Sequence, residues 1–185
     1  MNDIGINRKR LEEELGSTSK LFAYPYGEYD LETKRLISEM GLIGVGQQSG
    51  VIWKYSDFSA LPRFPMSGIY AEMNGFKTKV NALPMPVKKV TPESPVIENH
   101  WDAPVLQIEF LTADYSMNLN SLSCFASGQG RVEVEWTDKS KTAFSIKAPN
   151  KIPLGRSKYN CTARHNSQNR FFWFSRQWIH VDGKR

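Results

Sequence analysis

The sequence predicts an α+β chain: an incomplete (β/α)-barrel portion over 1–81, a proline-rich linker over 82–95 and an antiparallel β-sandwich over 96–185. Three observations lead there. Helical apolar spacing alternates with short apolar runs in the N-terminal portion, the pattern of a βα unit. The stretch ALPMPVKKVTPESP at 82–95 holds four prolines and the adjacent Lys88 and Lys89, which break regular structure. Beyond it the apolar period becomes two, the period of strands.

Taken in order, Asp3 is placed to cap a short helix whose Ile4, Leu11 and Leu15 fall on one stripe, closed by Gly16. A strand is expected at 21–24, followed by the turn-rich Tyr24-Pro25-Tyr26-Gly27. Asp30 reads as the N-cap of a helix over 31–40, with Leu36, Ile37 and Met40 inward and Gly41 as its stop. A short strand follows at 42–46. That order starts in mid-pattern, because no strand precedes the first helix. The α/β portion is therefore expected to be completed by a missing N-terminal barrel half or by another chain, and coding sequence for it is expected upstream. From 55 to 90 periodicity fades. Strands are then expected at 105–112, at 131–136 with Val132, Val134 and Trp136 on one face, and around Phe144 and Ile146. Residues 171–181 are apolar on both faces, as a central strand would be.

Composition narrows the classes. With 40% hydrophobic residues the chain is not disordered in bulk. No apolar run approaches the roughly 20 residues that span a bilayer, and Met1 to Leu15 hold no apolar core of a secretory signal. The net charge of +5 is concentrated beyond Asn150, where Arg156, Lys158, Arg164, Arg170 and Arg176 are among eight cations opposed by Asp182 alone. Such a face suits an anionic glycan or a nucleic acid, or is simply the solvated side of strands. No recognition helix or RNA-binding signature accompanies it, which argues against nucleic acid. His100, His165 and His180 are not paired at metal-ligand spacing. Cys124 and Cys161 allow one bridge or two buried thiols.

The loop at 24–27 lies between a strand and a helix, where barrel enzymes carry catalytic groups. Pro25 fixes the backbone and Gly27 permits a tight turn, so an N–H near Tyr26 can be aimed at a developing oxyanion. Pro and Gly also build ordinary turns. FAYPYGEYD at 22–30, GLIGVGQQSG at 41–50 and LPRFPM at 61–66, read together, resemble polysaccharide deacetylases of the NodB-homology type, carbohydrate esterase family 4. LSCFASGQGRVEVEW at 122–136, GRSKYNCTA at 155–163 and FFWFSRQWI at 171–179 resemble the β-domain that follows the barrel in some bacterial members.

The resemblance implies hydrolysis of N-acetyl groups on an amino-sugar polysaccharide with a divalent metal, often zinc, held by one Asp and two His. The strings that carry those ligands are not found here, so this chain lacks the metal site. Pro25 and Tyr26 match the Arg-x-Pro-Tyr motif, which gives the Tyr26 N–H the oxyanion contact, while Ala23 replaces the Arg. Arg63 is the nearest cation that could stand in for it. Tyr24, Pro25 and Gly27 are expected to line the sugar pocket. A Cys124–Cys161 disulfide joining facing sheets is expected, and with it a periplasmic or extracellular location. The aromatic residues Phe171, Phe172, Trp173, Phe174 and Trp178 suit either a core or sugar stacking. A non-catalytic carbohydrate-binding module using Trp173, Trp178 and the terminal cations is the competing reading.

Overall fold

Asp30 starts the best-defined helix of the α/β portion, because its carboxylate accepts the Thr33 N–H at 2.7 Å. The structure, a computed structural model, describes residues 2–97, 103–111 and 116–181. His100 lies outside them. The chain opens with helix α1 (Asn2–Leu15), then strand β1 (Leu21–Ala23), helix α2 (Leu31–Glu39) and strand β2 (Ile43–Val45). Strands β1 and β2 pair in parallel around α2, so the expected βα unit is present. Gly16 and Gly41 close the two helices with φ of 73° and 65°, a conformation that favours glycine. Asp3 is not the cap of α1. The helix begins at Asn2, and Asp3 sits in its first turn, where its charge meets the helix N-terminus.

Ile37 is fully buried against Tyr24, Tyr29, Leu42 and Ala60, with Ile4 and Met40 packed on the outside. The rest of the α1 stripe faces out: Leu11 is 49% and Leu15 70% exposed. Among the described residues no strand lies on the outer edge of β1, and no barrel closes.

Helix α3 (Met73–Val80) is not among the expected elements: Met73, Phe76 and Val80 stand at helical spacing, but the stripe spans only eight residues and none of them is buried. Glu72 caps it by accepting the Asn74 and Gly75 N–H groups. The proline-rich segment carries strands β3 (Leu83–Pro84) and β4 (Val87–Thr91), and β5 (Val96–Ile97) follows it. Its prolines stand at strand ends, where a missing N–H breaks no ladder.

The remaining strands are β6 (Leu106–Phe110), β7 (Ser123–Ala126), β8 (Gly130–Val132), β9 (Glu135–Trp136), β10 (Ala143–Ile146), β11 (Gly155–Arg164) and β12 (Phe171–His180). One sheet runs β4-β6-β10-β9, the other β3-β12-β11-β7-β8, with β5 also on β12. Both feed one core: Ile108, Phe144 and Ile146 from the first meet Tyr159, Ala163 and Trp178 from the second. The single strand expected at 131–136 is two strands, β8 in one sheet and β9 in the other. The chain changes sheet at Glu133 and Val134, yet Val132, Val134 and Trp136 all still reach the shared core.

Cys124 and Cys161 form the disulfide. It does not join facing sheets as expected. The two residues are register partners on the neighbouring strands β7 and β11, so the bridge lies across one sheet. Alternation places both on the inner face, which explains their near-complete burial.

Candidate functional site

Parallel strands send their following loops out of one edge, the usual place for a ligand in an open α/β sheet. Here β1 pairs with β2, and Val45 bridges to Leu61 in parallel as well. The segments 24–27, 46–49 and 62–63 therefore leave from a common edge. They belong to the three strings FAYPYGEYD, GLIGVGQQSG and LPRFPM.

The residues expected to line a sugar pocket divide. Tyr24 is 3% exposed, and its hydroxyl donates to the Ser59 carbonyl at 2.6 Å. Burial, with Tyr29 and Asp57 adding to it, pushes its phenol well above the ordinary value. Pro25 is exposed. Tyr26 is 69% exposed and holds a left-handed φ of 56°, uncommon for a residue with a side chain. Gly27 has φ of 74°, and a Cβ there would lie 2.6 Å from Gln47 side-chain atoms. Only glycine fits. Arg63 is exposed, and its backbone N–H donates to the Gln48 carbonyl at 2.9 Å.

Residues from the second sheet hold this turn in place. The Arg156 guanidinium donates to the Tyr26 carbonyl at 3.1 Å, lies 5.1 Å from the Tyr26 ring centroid and pairs with Glu28 at 3.5 Å. The Gln177 amide donates to the Gly27 carbonyl at 2.7 Å in a buried setting. Lys158 reaches towards Ser49 at 3.5 Å, and burial, with Lys79 nearby, lowers its amine below the usual value. The basic residues of the last third thus act largely as ties. Arg170 bonds the Asn81 carbonyl at 2.7 Å, and Arg176 bonds the Pro92 carbonyl at 2.9 Å. None of these ties could be read from sequence, because the partners of Arg156 and Gln177 stand 130 and 150 positions away. The one signal is the polar run Ser175-Arg176-Gln177 inside a strand rich in aromatic residues.

Beside the turn a cleft of about 220 Å³ lies between the 48–62 segment, β4 and β12. Trp53, Tyr55 and Trp173 are among its walls, with Lys34, Asp57 and Arg176. Trp53 and Tyr55 meet edge to face with centroids 5.0 Å apart. Trp173 is half-buried and donates its indole N–H to Asn160 at 2.6 Å. Trp178 and Phe172 are core residues, 1% and 2% exposed. The aromatic cluster therefore serves the core at those positions and the cleft at Trp173. Lys34 pairs with Asp57 at 2.6 Å. Burial pushes the Asp57 carboxyl up, but the hydrogen bonds from Lys34 and Ser59 outweigh it and hold the group below the usual range. The Arg176 Nε is buried and has no hydrogen-bond partner among the described residues.

The metal that the resemblance implies does not fit these side chains. Among the described residues no group of three His, Cys, Asp or Glu converges. The His165 Nδ1 accepts the Ser167 and Gln168 N–H groups, and the His180 Nδ1 lies 2.7 Å from the Ile152 carbonyl. No helix among the described residues is long and apolar enough to cross a membrane.

No protein-family model matches the chain, and no curated protein matches it. Among solved structures it is similar to the X-ray structure of the endo-beta-1,4-mannanase from Thermotoga petrophila, with 11% identity and a TM-score of 0.39. That likeness covers 96% of this chain and 42% of the mannanase chain, so this chain spans less than half of that protein's length. A likeness so slight carries no argument about fold or function.

Proposed function

We propose that this chain belongs to a metal-dependent polysaccharide N-deacetylase, which hydrolyses N-acetyl groups on amino-sugar polymers, and that it lacks the metal site. In this reading 1–81 is the distal portion of a (β/α) barrel, 82–95 the connection and 96–185 an accessory β-sandwich. The metal ligands, Asp and two His binding zinc or a similar ion, come from the missing barrel half or from another chain. The observation that carries the reading is the convergence of the three resembling strings, whose loops at 24–27, 46–49 and 62–63 leave from one edge. The outward stripe of α1 and the open side of β1 suit further α/β structure on that flank.

The residues present would act by position. Tyr26 offers its N–H to the oxyanion, on a turn that Arg156 and Gln177 hold still. Arg63, exposed on the same edge, is a cation available for orienting the base, beside Arg156, which already contacts Tyr26. The disulfide suits a periplasmic or extracellular protein. The second reading, a non-catalytic carbohydrate-binding module, is favoured by the aromatic cleft, although Trp178 is buried and does not reach it.

Both readings require recognition of a glycan, and the deacetylase reading requires the acetylated form. Co-sedimentation of the intact chain with insoluble polymers tests it. An N-acetylated amino-sugar polymer is expected to retain the chain, and its deacetylated form and a plain hexose polymer to release it. Equal retention by all three contradicts the deacetylase reading.

A further inference from the structure

We propose that the cleft between β4 and β12 binds one acetamido-bearing sugar unit of the polysaccharide, and that this subsite exists only where the α/β portion meets the two sheets. The proposal rests on the glycan reading above and adds a site to it.

Three observations carry it. The first is the aromatic lining. Tyr55 is 60% exposed and Trp53 half-buried beside it, with Trp173 also lining the cleft. A sugar ring lays its C–H face on such rings while its hydroxyls stay wet. The Lys34–Asp57 pair and the exposed Lys88 offer those hydroxyls donors and an acceptor. The volume of about 220 Å³ is below that of pockets for drug-sized ligands and suits a single unit.

The second is the edge of β12. Alternation along an antiparallel ladder turns the peptide groups of Trp173, Ser175, Gln177 and Ile179 away from β11. The Trp173 carbonyl accepts the Met85 N–H, and the Ile179 N–H donates to the Pro95 carbonyl. Between them, among the described residues, no strand lies opposite the peptide groups of Ser175 and Gln177, because β3 ends at Pro84 and β5 begins at Val96. An acetamido group carries the same N–H and C=O as a peptide and can take the place of the missing strand. The gap from Trp173 to Ile179 is roughly 20 Å along the strand and is closed at both ends by β3 and β5. An extended peptide cannot run through it. A single substituent can.

The third is the composite wall. Segment 48–62 comes from the α/β portion, and β4 and β12 come from different sheets. Neither region holds the site alone, which gives the sheets a reason to be attached.

The test titrates the intact chain with a soluble N-acetylated β-1,4-glucosamine oligomer and with the same oligomer after deacetylation, following tryptophan fluorescence. Trp53→Ala and Tyr55→Ala lie on an exposed loop, and their unfolding midpoints serve as controls for folding. The expected result is binding at least about tenfold weaker for each variant, and about tenfold weaker for the deacetylated oligomer, each some 1.4 kcal/mol. Wild-type affinity in both variants would move the site elsewhere and leave the deacetylase reading intact. Equal affinity for the two oligomers would remove the acetamido contact. Failure of the wild-type chain to bind either oligomer would overturn the subsite and the glycan reading together. Displacement of the oligomer by an extended peptide would also overturn the subsite.

Discussion

Gly27, expected from the sequence to line a sugar pocket, is required first by geometry. Its φ of 74° and the 2.6 Å approach of Gln47 leave no room for a side chain. Gly27→Ala is expected to cost about 2–4 kcal/mol, the sum of backbone strain and overpacking, read from urea unfolding. Any loss of activity in that variant must be corrected for the fold. Gln177→Ala removes the donor from the buried Gly27 carbonyl and is expected to cost about 1–3 kcal/mol by the same measurement. Asp30 and Asp57 contribute to the acid limit, as do Glu72 and Asp138, whose carboxyls are also lowered by the backbone N–H groups they accept. Hydrogen bonding from Thr33 lowers the first, and Lys34 and Ser59 overcome burial to lower the second. A carboxyl with a depressed folded pKa stabilises the fold fully above its unfolded value, about 3.9, and that stability is lost as pH falls through the lower folded value. Stability should be flat above about pH 5 and fall below about pH 4, with Asp57→Asn flattening some of that decline. At this scale local chemistry was readable: Asp30, Gly16 and Gly41 do what caps and stops do. Tyr24 was not, because nothing near it in sequence announces Ser59 as the partner of its hydroxyl.

At the scale of elements, strands and helices were legible where one face is buried. The βα unit, β6 and β10 follow their apolar periods, and β12 follows its continuous apolar run. Helix α3 buries no residue, and its stripe of Met73, Phe76 and Val80 is too short to stand out from the irregular sequence around it. The run at 131–136 alternates without a break, yet it serves two sheets, because alternation records which way a side chain points and not which sheet the backbone joins. The disulfide follows the same logic. Two cysteines able to bridge were visible in strand-like sequence, but the sheet they share was not. Cys124 and Cys161 enclose a separation of 37 residues, so replacing both with alanine is expected to lower unfolding free energy by up to roughly 4 kcal/mol. Denaturation of the double variant beside the oxidised wild type checks it. A change below about 1 kcal/mol would mean that the sheet already fixes the two strands unaided.

Across the whole molecule, the contacts that hold the candidate site link its distant ends. Arg156 and Gln177, on β11 and β12, hold the turn at Tyr26 and Gly27, and the cleft draws its walls from both the α/β portion and the sheets. Periodicity cannot reveal such ties, since each partner looks like an ordinary polar residue on a strand. In the proposed function the α/β portion and the two sheets work as a single unit, contributing the oxyanion turn and a sugar subsite, while the metal comes from elsewhere. Acetate release from an N-acetylated amino-sugar oligomer tests that most directly. It should be measured with this chain, with a zinc-loaded polypeptide that carries the Asp and two His ligands, and with both together. Release from the pair is expected to exceed that from either alone about a hundredfold, the scale of an oxyanion contact. An unchanged rate when this chain is left out, or no release from the pair, would contradict it.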